Sequence, residues 1–297
     1  MVPAPALGRA IGAQVYLKLE SELPTGSFKV RGALHALLWY SQDGTLAGVV
    51  TASTGNHGAG VAYAAARLGL SATIVLPENP NPVKRARIVE QGATVIERGS
   101  DLAEARKHAA HLARERNWQL ITDGSDPHLT PGAAVIGTEI LEQVPDTDLI
   151  IVPVGDTTLV RGVAQAARLV RPAVRMVGVQ AEGAPAYFLA WQQGRAVSLS
   201  TCATVADGLA TRIATEENAR ALRALVDEMV LVSDEEMLRA VRCLLLEEHV
   251  VAEPAGAAAT AVLLRYAKAY TGRKVVLVVS GANLRAELLR RAAEARM

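Results

Sequence analysis

Short apolar segments alternate with longer amphipathic ones along almost the whole chain. This alternation restricts the fold more than any other feature of the sequence. Val15 to Glu20 alternates as a strand does. Gly48 to Thr51 reads as a strand and Gly58 to Leu68 as a helix. Ser71 to Leu76 is a strand closed by Pro77, and Pro82 to Glu90 is a helix with proline in its first turn. Ala93 to Ile96 is a strand, Ser100 is expected to cap a helix from Asp101 to about Arg116, and Trp118 to Thr122 is the next strand. The polar turn Asp123-Gly124-Ser125-Asp126-Pro127 interrupts the pattern and reads as a hinge between domains. Beyond it, Thr130-Pro131 opens a helix to about Glu142, and Asp148 to Val154 is a buried strand. Further helices are expected over 159–170, 184–193, 216–226, 234–248, 255–270 and 284–295, with strands over 174–180, 229–232 and 274–279. Strict strand–helix repetition implies an α/β fold with parallel sheets covered on both faces.

Composition narrows the class. The chain has 297 residues, 50% of them hydrophobic, which is enough for one large or two modest domains. A formal net charge of +1 without a basic stripe argues against nucleic acid as a partner. No apolar run reaches the roughly 18 residues of a membrane span. Met1-Val2-Pro3-Ala4-Pro5 lacks the charged and apolar regions of a signal peptide. Cys202 and Cys243 have no metal-ligand spacing and form no disulfide framework, which suits a reducing cytoplasm.

Four strand ends carry residues suited to chemistry. In Gly26-Ser27-Phe28-Lys29-Val30-Arg31-Gly32, Lys29 stands at a strand-to-helix turn opened by Gly26 and Ser27. Desolvation there disfavours an ammonium, which leaves the amine available as a nucleophile. Most lone lysines are only solvated surface groups, so Lys29 gains its interest from the other three segments. Ser53-Thr54-Gly55-Asn56-His57-Gly58 lies between a strand and a helix, where backbone N–H groups and the helix N-terminus suit an anion such as a carboxylate. The same residues also make an ordinary capped turn. Gly155-Asp156-Thr157-Thr158-Leu159 follows a buried strand and opens a helix, a geometry that suits phosphate. Ser280 ends the last strand.

Together these motifs resemble the serine/threonine dehydratase and serine racemase family, fold-type II enzymes that use pyridoxal 5'-phosphate (PLP). The resemblance runs from about Tyr16 to about Asn283 and is densest in Pro24 to Ala33 and Ser53 to His57. It implies two α/β domains with parallel-rich twisted sheets flanked by helices. Residues 1–30 and 131–297 would form the larger, PLP-binding domain, and 31–130 a smaller, mobile one. It implies that Lys29 carries PLP covalently, with Phe28 beside it, and later removes the substrate α-proton. Ser53, Thr54, Gly55, Asn56 and His57 would bind the substrate carboxylate, and Asn56 would also contact the phenolic oxygen of PLP. Gly155, Asp156, Thr157, Thr158 and Leu159 would take its phosphate, and Ser280 its pyridine nitrogen. A neutral hydroxyl leaves that nitrogen less protonated than a carboxylate does, which suits prompt β-elimination. The stretches around Gly208 and Glu253 match family signatures and read as scaffolding.

The chain departs from the family at two places. A run of glycines is usual where this chain has Gly155-Asp156-Thr157-Thr158, and Asp156 brings negative charge to a phosphate site. Some relatives hold a divalent cation through residues spaced as Glu182, Ala186 and Phe188 are here, but an aromatic ring ligates no hard cation. No metal is therefore expected.

The leading expectation is β-elimination from L-threonine or L-serine, giving a 2-oxo acid and ammonia. Racemisation is the first rival, with the Thr54 hydroxyl on the opposite face of the α-carbon, where racemases of the family use serine. Threonine-synthase-like replacement and a PLP-binding protein without turnover are the others. The family resemblance implies a homodimer. The short stretch after Ser280 argues against a C-terminal regulatory domain.

Overall fold

The structure is a computed structural model and describes residues 1–295. The chain forms two compact units, one of Met1–Ser21 with the chain from Ala134 onward, the other of Glu22–Ala133.

In chain order, the first unit begins with β1 (Val2–Pro3), α1 (Pro5–Ile11) and β2 (Gln14–Leu19). The second contains α2 (Lys29–Tyr40), β3 (Gly48–Ala52), α3 (Asn56–Leu68), β4 (Ser71–Leu76), α4 (Pro82–Glu90), β5 (Thr94–Glu97), α5 (Leu102–Arg116) and β6 (Gln119–Leu120). The unit boundary falls inside α6 (Leu129–Gln143). The first unit continues with β7 (Leu149–Pro153), α7 (Thr158–Val170), β8 (Arg175–Ala181), α8 (Ala186–Gln193), β9 (Val197–Ser198) and β10 (Ile213–Ala214). It ends with α9 (Glu216–Leu225), β11 (Glu228–Val232), α10 (Asp234–Glu247), α11 (Pro254–Arg265), α12 (Ala267–Tyr270), β12 (Lys274–Val279) and α13 (Ala286–Glu294).

The sheet of the first unit has the order β1-β2-β12-β7-β8-β11. Its strands are parallel except β1, which pairs antiparallel with β2 through Val2↔Leu17 and Pro3↔Tyr16. The sheet is parallel-rich, as expected, and its edge strand β1 is antiparallel because Ala4 to Ala13 is shorter than the roughly dozen residues a parallel crossover takes. Every residue of β7 is buried, as is all of β12 after Lys274, which is why both read as unbroken apolar runs. The alanine-rich helix α11 is buried nearly all round. At its start, a Cβ on Gly256 would lie 2.3 Å from the Gly281 carbonyl oxygen, so only glycine lets the helix reach the chain just past Ser280.

The sheet of the second unit is fully parallel, with the order β5-β4-β3-β6. Small residues bring α2 and α3 together, with Ala33, Ala36, Ala59 and Ala62 all buried. A Cβ on Gly60 would lie 2.9 Å from the Lys29 carbonyl carbon, so α3 presses directly on the first residue of α2.

Local differences from the sequence reading have identifiable causes. Asp101, not Ser100, caps α5 by accepting from the Glu104 N–H at 2.9 Å, and the Ser100 N–H donates back to the Glu104 carboxylate at 2.8 Å. Ser27 does not cap α2, whose N-cap is Phe28 in helical geometry without a side-chain bond. The helix expected over 255–270 breaks at Tyr266 into α11 and α12. Ser233 caps α10 as expected, in a full capping box with Glu236. The β9–β10 hairpin, paired Ile213↔Ser198 and Ala214↔Val197, has no clear sequence signal.

Candidate active site

Each sheet has one place where neighbouring strands send their connections in opposite directions. In the second unit the chain builds outward from β3 through β4 to β5, then returns to the other side of β3 with β6. Open α/β sheets bind ligands in the crevice at the carboxyl ends of such strands. The loop after β3 is Ser53 to Gly55, and the turn after β6 holds Thr122 and Asp123. In the first unit, β8 and β11 lie on one side of β7 and β12 on the other. The loop after β7 is Val154 to Thr157, and Ser280 follows β12. The candidate residues thus stand at the two switch points.

In the second unit, Ser53 organises its loop. Its Oγ accepts from the backbone N–H groups of Gly55 and Gly58, both at 2.9 Å. Ser53 and His57 are buried, Asn56 is half-buried and Thr54 is exposed. Gly55 takes φ 150°, a conformation that side chains rarely adopt. Beneath it lies Lys84 of α4, which is only 2% exposed.

Lys29 is the first residue of α2. Its Nζ donates to Asp123 Oδ2 at 2.6 Å and Oδ1 at 2.8 Å, and it lies 5.0 Å from the Phe28 ring centroid. His57 Nδ1 is 3.6 Å from Asp123 Oδ1. Lys29, Asp123 and His57 therefore form one cluster, from α2, the turn after β6 and the start of α3. Desolvation, on which the sequence reading of Lys29 relied, is opposed here by a carboxylate that stabilises the charged amine. Sequence reasoning took Asp123 for part of a hinge and passed over Lys84. Only the strand-end position of Asp123 signalled it. Lys84 sits in an ordinary amphipathic helix and gave no signal.

In the first unit, Gly155 must be glycine, because a Cβ there would lie 2.3 Å from the Gly208 carbonyl oxygen. Thr157 takes the left-handed φ of 82° that a glycine run would hold without strain. Its Oγ1 is buried and has no hydrogen-bond partner among the described residues. Asp156 Oδ1 accepts from the Thr158 N–H at 3.0 Å, so the carboxylate already engages the N-terminus of α7. Thr158 and Leu159 are buried in the first turn of α7, and Ser280 is 7% exposed. Arg161 donates to Asn218 Oδ1, and Asn218 Nδ2 donates to the Tyr187 hydroxyl at 3.0 Å, so Arg161 belongs to a network within this unit.

Comparison with known proteins bears on this arrangement. The sequence profile of the family described as "pyridoxal-phosphate dependent enzyme" matches residues 1–281. The L-threonine ammonia-lyase of Thermotoga maritima is 37% identical over 285 residues, covering 96% of this chain and 71% of that protein. The processed form of threonine deaminase isoform 2 from Solanum lycopersicum superposes with a TM-score of 0.93 at 33% identity, covering 98% of this chain and 86% of that one. Maize serine racemase superposes with a TM-score of 0.92 at 28% identity, covering 99% and 90%.

The residues present fit a phosphorylated aldehyde cofactor. The buried Thr157 hydroxyl offers a donor that a phosphate oxygen can accept from. Gly155 keeps the loop after β7 close to Gly208, and α7 presents its N-terminus. Asp156 works against an anion at the same place through its charge. In the second unit, Lys29 supplies the amine that an aldehyde requires.

Proposed function

The chain belongs to the pyridoxal-phosphate dependent enzyme family, and from that premise we propose that it is a threonine/serine ammonia-lyase, forming a 2-oxo acid and ammonia. It is a PLP-dependent enzyme of the dehydratase and racemase superfamily, and its chemistry is of the ammonia-lyase or racemase type. The observation that carries the finer reading is the 37% identity to an L-threonine ammonia-lyase across 96% of the chain. The Lys29 and Ser53–His57 clusters at the switch point of the second sheet support it.

We assign the residues as follows. Lys29 holds PLP, with Phe28 beside it. Gly155, Thr157, Thr158 and Leu159 hold its phosphate together with the backbone of Asp156, whose carboxylate opposes it, while Asn56 takes its phenolic oxygen and Ser280 its pyridine nitrogen. PLP supplies an electron sink that acidifies the substrate α-carbon and lets a β-substituent depart. Lys29 Nζ would serve as the base that receives the substrate α-proton. The Ser53–His57 loop holds the substrate carboxylate. Ser53 Oγ accepts from two backbone N–H groups, so its own proton is free to donate to that carboxylate. The Ser280 hydroxyl leaves the pyridine nitrogen without an enforced proton.

Racemisation is the second reading, and the exposed Thr54 side chain favours it, because its hydroxyl is accessible to a ligand.

The test is an absorbance spectrum of the protein with PLP, before and after L-threonine, L-serine and their D-isomers, with 2-oxo acid and chirality assayed. The reading expects a band near ~410–420 nm, typical of a lysine–PLP linkage, that is absent in Lys29→Ala, together with 2-oxo acid from the L-isomers. Chiral inversion outpacing 2-oxo acid would replace it with the racemase reading. No band at saturating PLP would overturn both.

A further inference from the structure

Both carboxylate oxygens of Asp123 receive the Lys29 amine, at 2.6 and 2.8 Å. We propose that Asp123 is a positioning residue that holds Lys29 as an ammonium and so sets covalent capture of PLP against its noncovalent docking. The proposal rests on the assignment of Lys29 made above.

The pair is held from both sides. Lys29 is pinned through its backbone by Gly60. Asp123 sits in a turn closed around it: the Ile121 N–H donates to the Val50 carbonyl at 2.9 Å, and the Ile121 carbonyl accepts from Thr51 Oγ1 at 2.6 Å. The Ser125 and Asp126 N–H groups then both donate to the Thr122 carbonyl, at 3.3 and 2.9 Å. The side chains of Lys29 and Asp123 are only 14% and 18% exposed, so water screens their attraction less than it would at the surface.

Capture of an aldehyde requires this pair to part. The Lys29 ammonium loses one proton to solvent, Nζ forms a carbon–nitrogen double bond to the aldehyde carbon, and the aldehyde oxygen leaves as water. An adjacent carboxylate favours the ammonium and opposes the first of these events. It favours the reverse outcome to the same extent, because a Lys29 displaced by a substrate amine returns to Asp123. Asp123 thereby makes Lys29 easier to displace and harder to load. Docking of the phosphate and ring alone does not involve the amine and is not coupled to Asp123.

The test compares PLP with pyridoxine 5'-phosphate, which has the same phosphate and ring but no aldehyde. Dissociation constants for both are measured at one pH for the wild type, Asp123→Asn and Asp123→Glu, by absorbance for PLP and by thermal shift for pyridoxine 5'-phosphate. Asp123→Asn is expected to bind PLP about tenfold more tightly, since capture then breaks no shielded ion pair. Its affinity for pyridoxine 5'-phosphate should stay within about twofold of wild type, as expected for an uncoupled ligand. Asp123→Glu, which keeps the charge, should remain near wild type and serves as the folded control. An equal change for the two ligands, no change for either, or weaker PLP binding in Asp123→Asn would each overturn the proposal. A wild type without the lysine–PLP band would overturn the Lys29 assignment as well. A normal band without the selective shift would overturn only the role of Asp123.

Discussion

Gly55 rests on the side chain of Lys84. A Cβ added to Gly55 would lie 2.3 Å from Lys84 Cδ and 2.5 Å from Lys84 Cβ, and the backbone there already takes φ 150°. The loop after β3 is therefore shaped from below by the stem of a buried lysine. Gly55→Ala is expected to lower stability by about 1–3 kcal/mol through overpacking and strain. Gly55→Ala/Lys84→Ala should recover part of that loss, because the contact with Lys84 Cδ goes while the contact with Lys84 Cβ and the strained φ remain. Urea denaturation of the two variants and Lys84→Ala closes the cycle, and simple additivity would refute the contact's role.

Lys29→Ala is expected to abolish the lysine–PLP band and lower turnover by several orders of magnitude, since on the proposed assignment it removes both the attachment point and the base. Circular dichroism should remain native, because alanine favours the helix and leaves in place the Lys29 backbone on which Gly60 packs.

Asp156→Asn keeps an acceptor for the Thr158 N–H and removes the charge at the start of α7. Inorganic phosphate and PLP should both bind about fivefold more tightly, corresponding to about 1 kcal/mol of charge interaction at a helix terminus. Isothermal titration with each ligand measures it. Unlike Asp123→Asn, this variant should not distinguish PLP from pyridoxine 5'-phosphate.

Burial, with Glu247 and Glu248 nearby, pushes the Cys243 thiol up to about 11 from an ordinary value of 9.0. The native state then keeps its thiol proton where the unfolded chain loses it, so unfolding releases a proton between about pH 9 and 11. Stability is full below the unfolded value and falls as pH rises through this window. The urea midpoint should therefore drop from pH 9 to 11, and drop less in Cys243→Ala. At pH 8, a thiol reagent should label half-buried Cys202 first and Cys243 only on unfolding.

The strands β3, β4, β7 and β12 were legible because buried parallel strands leave apolar runs, and α4 and α10 because their proline and capping residues mark their starts. The antiparallel β1 and the break at Tyr266 were not, since neither changes the local pattern. The loops around Lys29, Ser53, Gly155 and Ser280 stood out as polar and glycine-rich strand ends. Asp123 and Lys84 did not, because a carboxylate in a polar turn and a lysine on a helix look like solvated groups until their neighbours are known.

By itself the sequence determined the alternation of strand and helix, the family, and the places where glycine, serine and lysine interrupt apolar runs. These are local properties, carried by periodicity and by the conformational needs of single residues. Tertiary structure alone decided strand order, and with it the switch points at β3–β6 and β7–β12 where the candidate loops stand. It also decided that Asp123, 94 positions along the chain from Lys29, meets that lysine's amine. Strand order follows from which crossovers pack best against the whole sheet, and no short stretch of sequence records that choice.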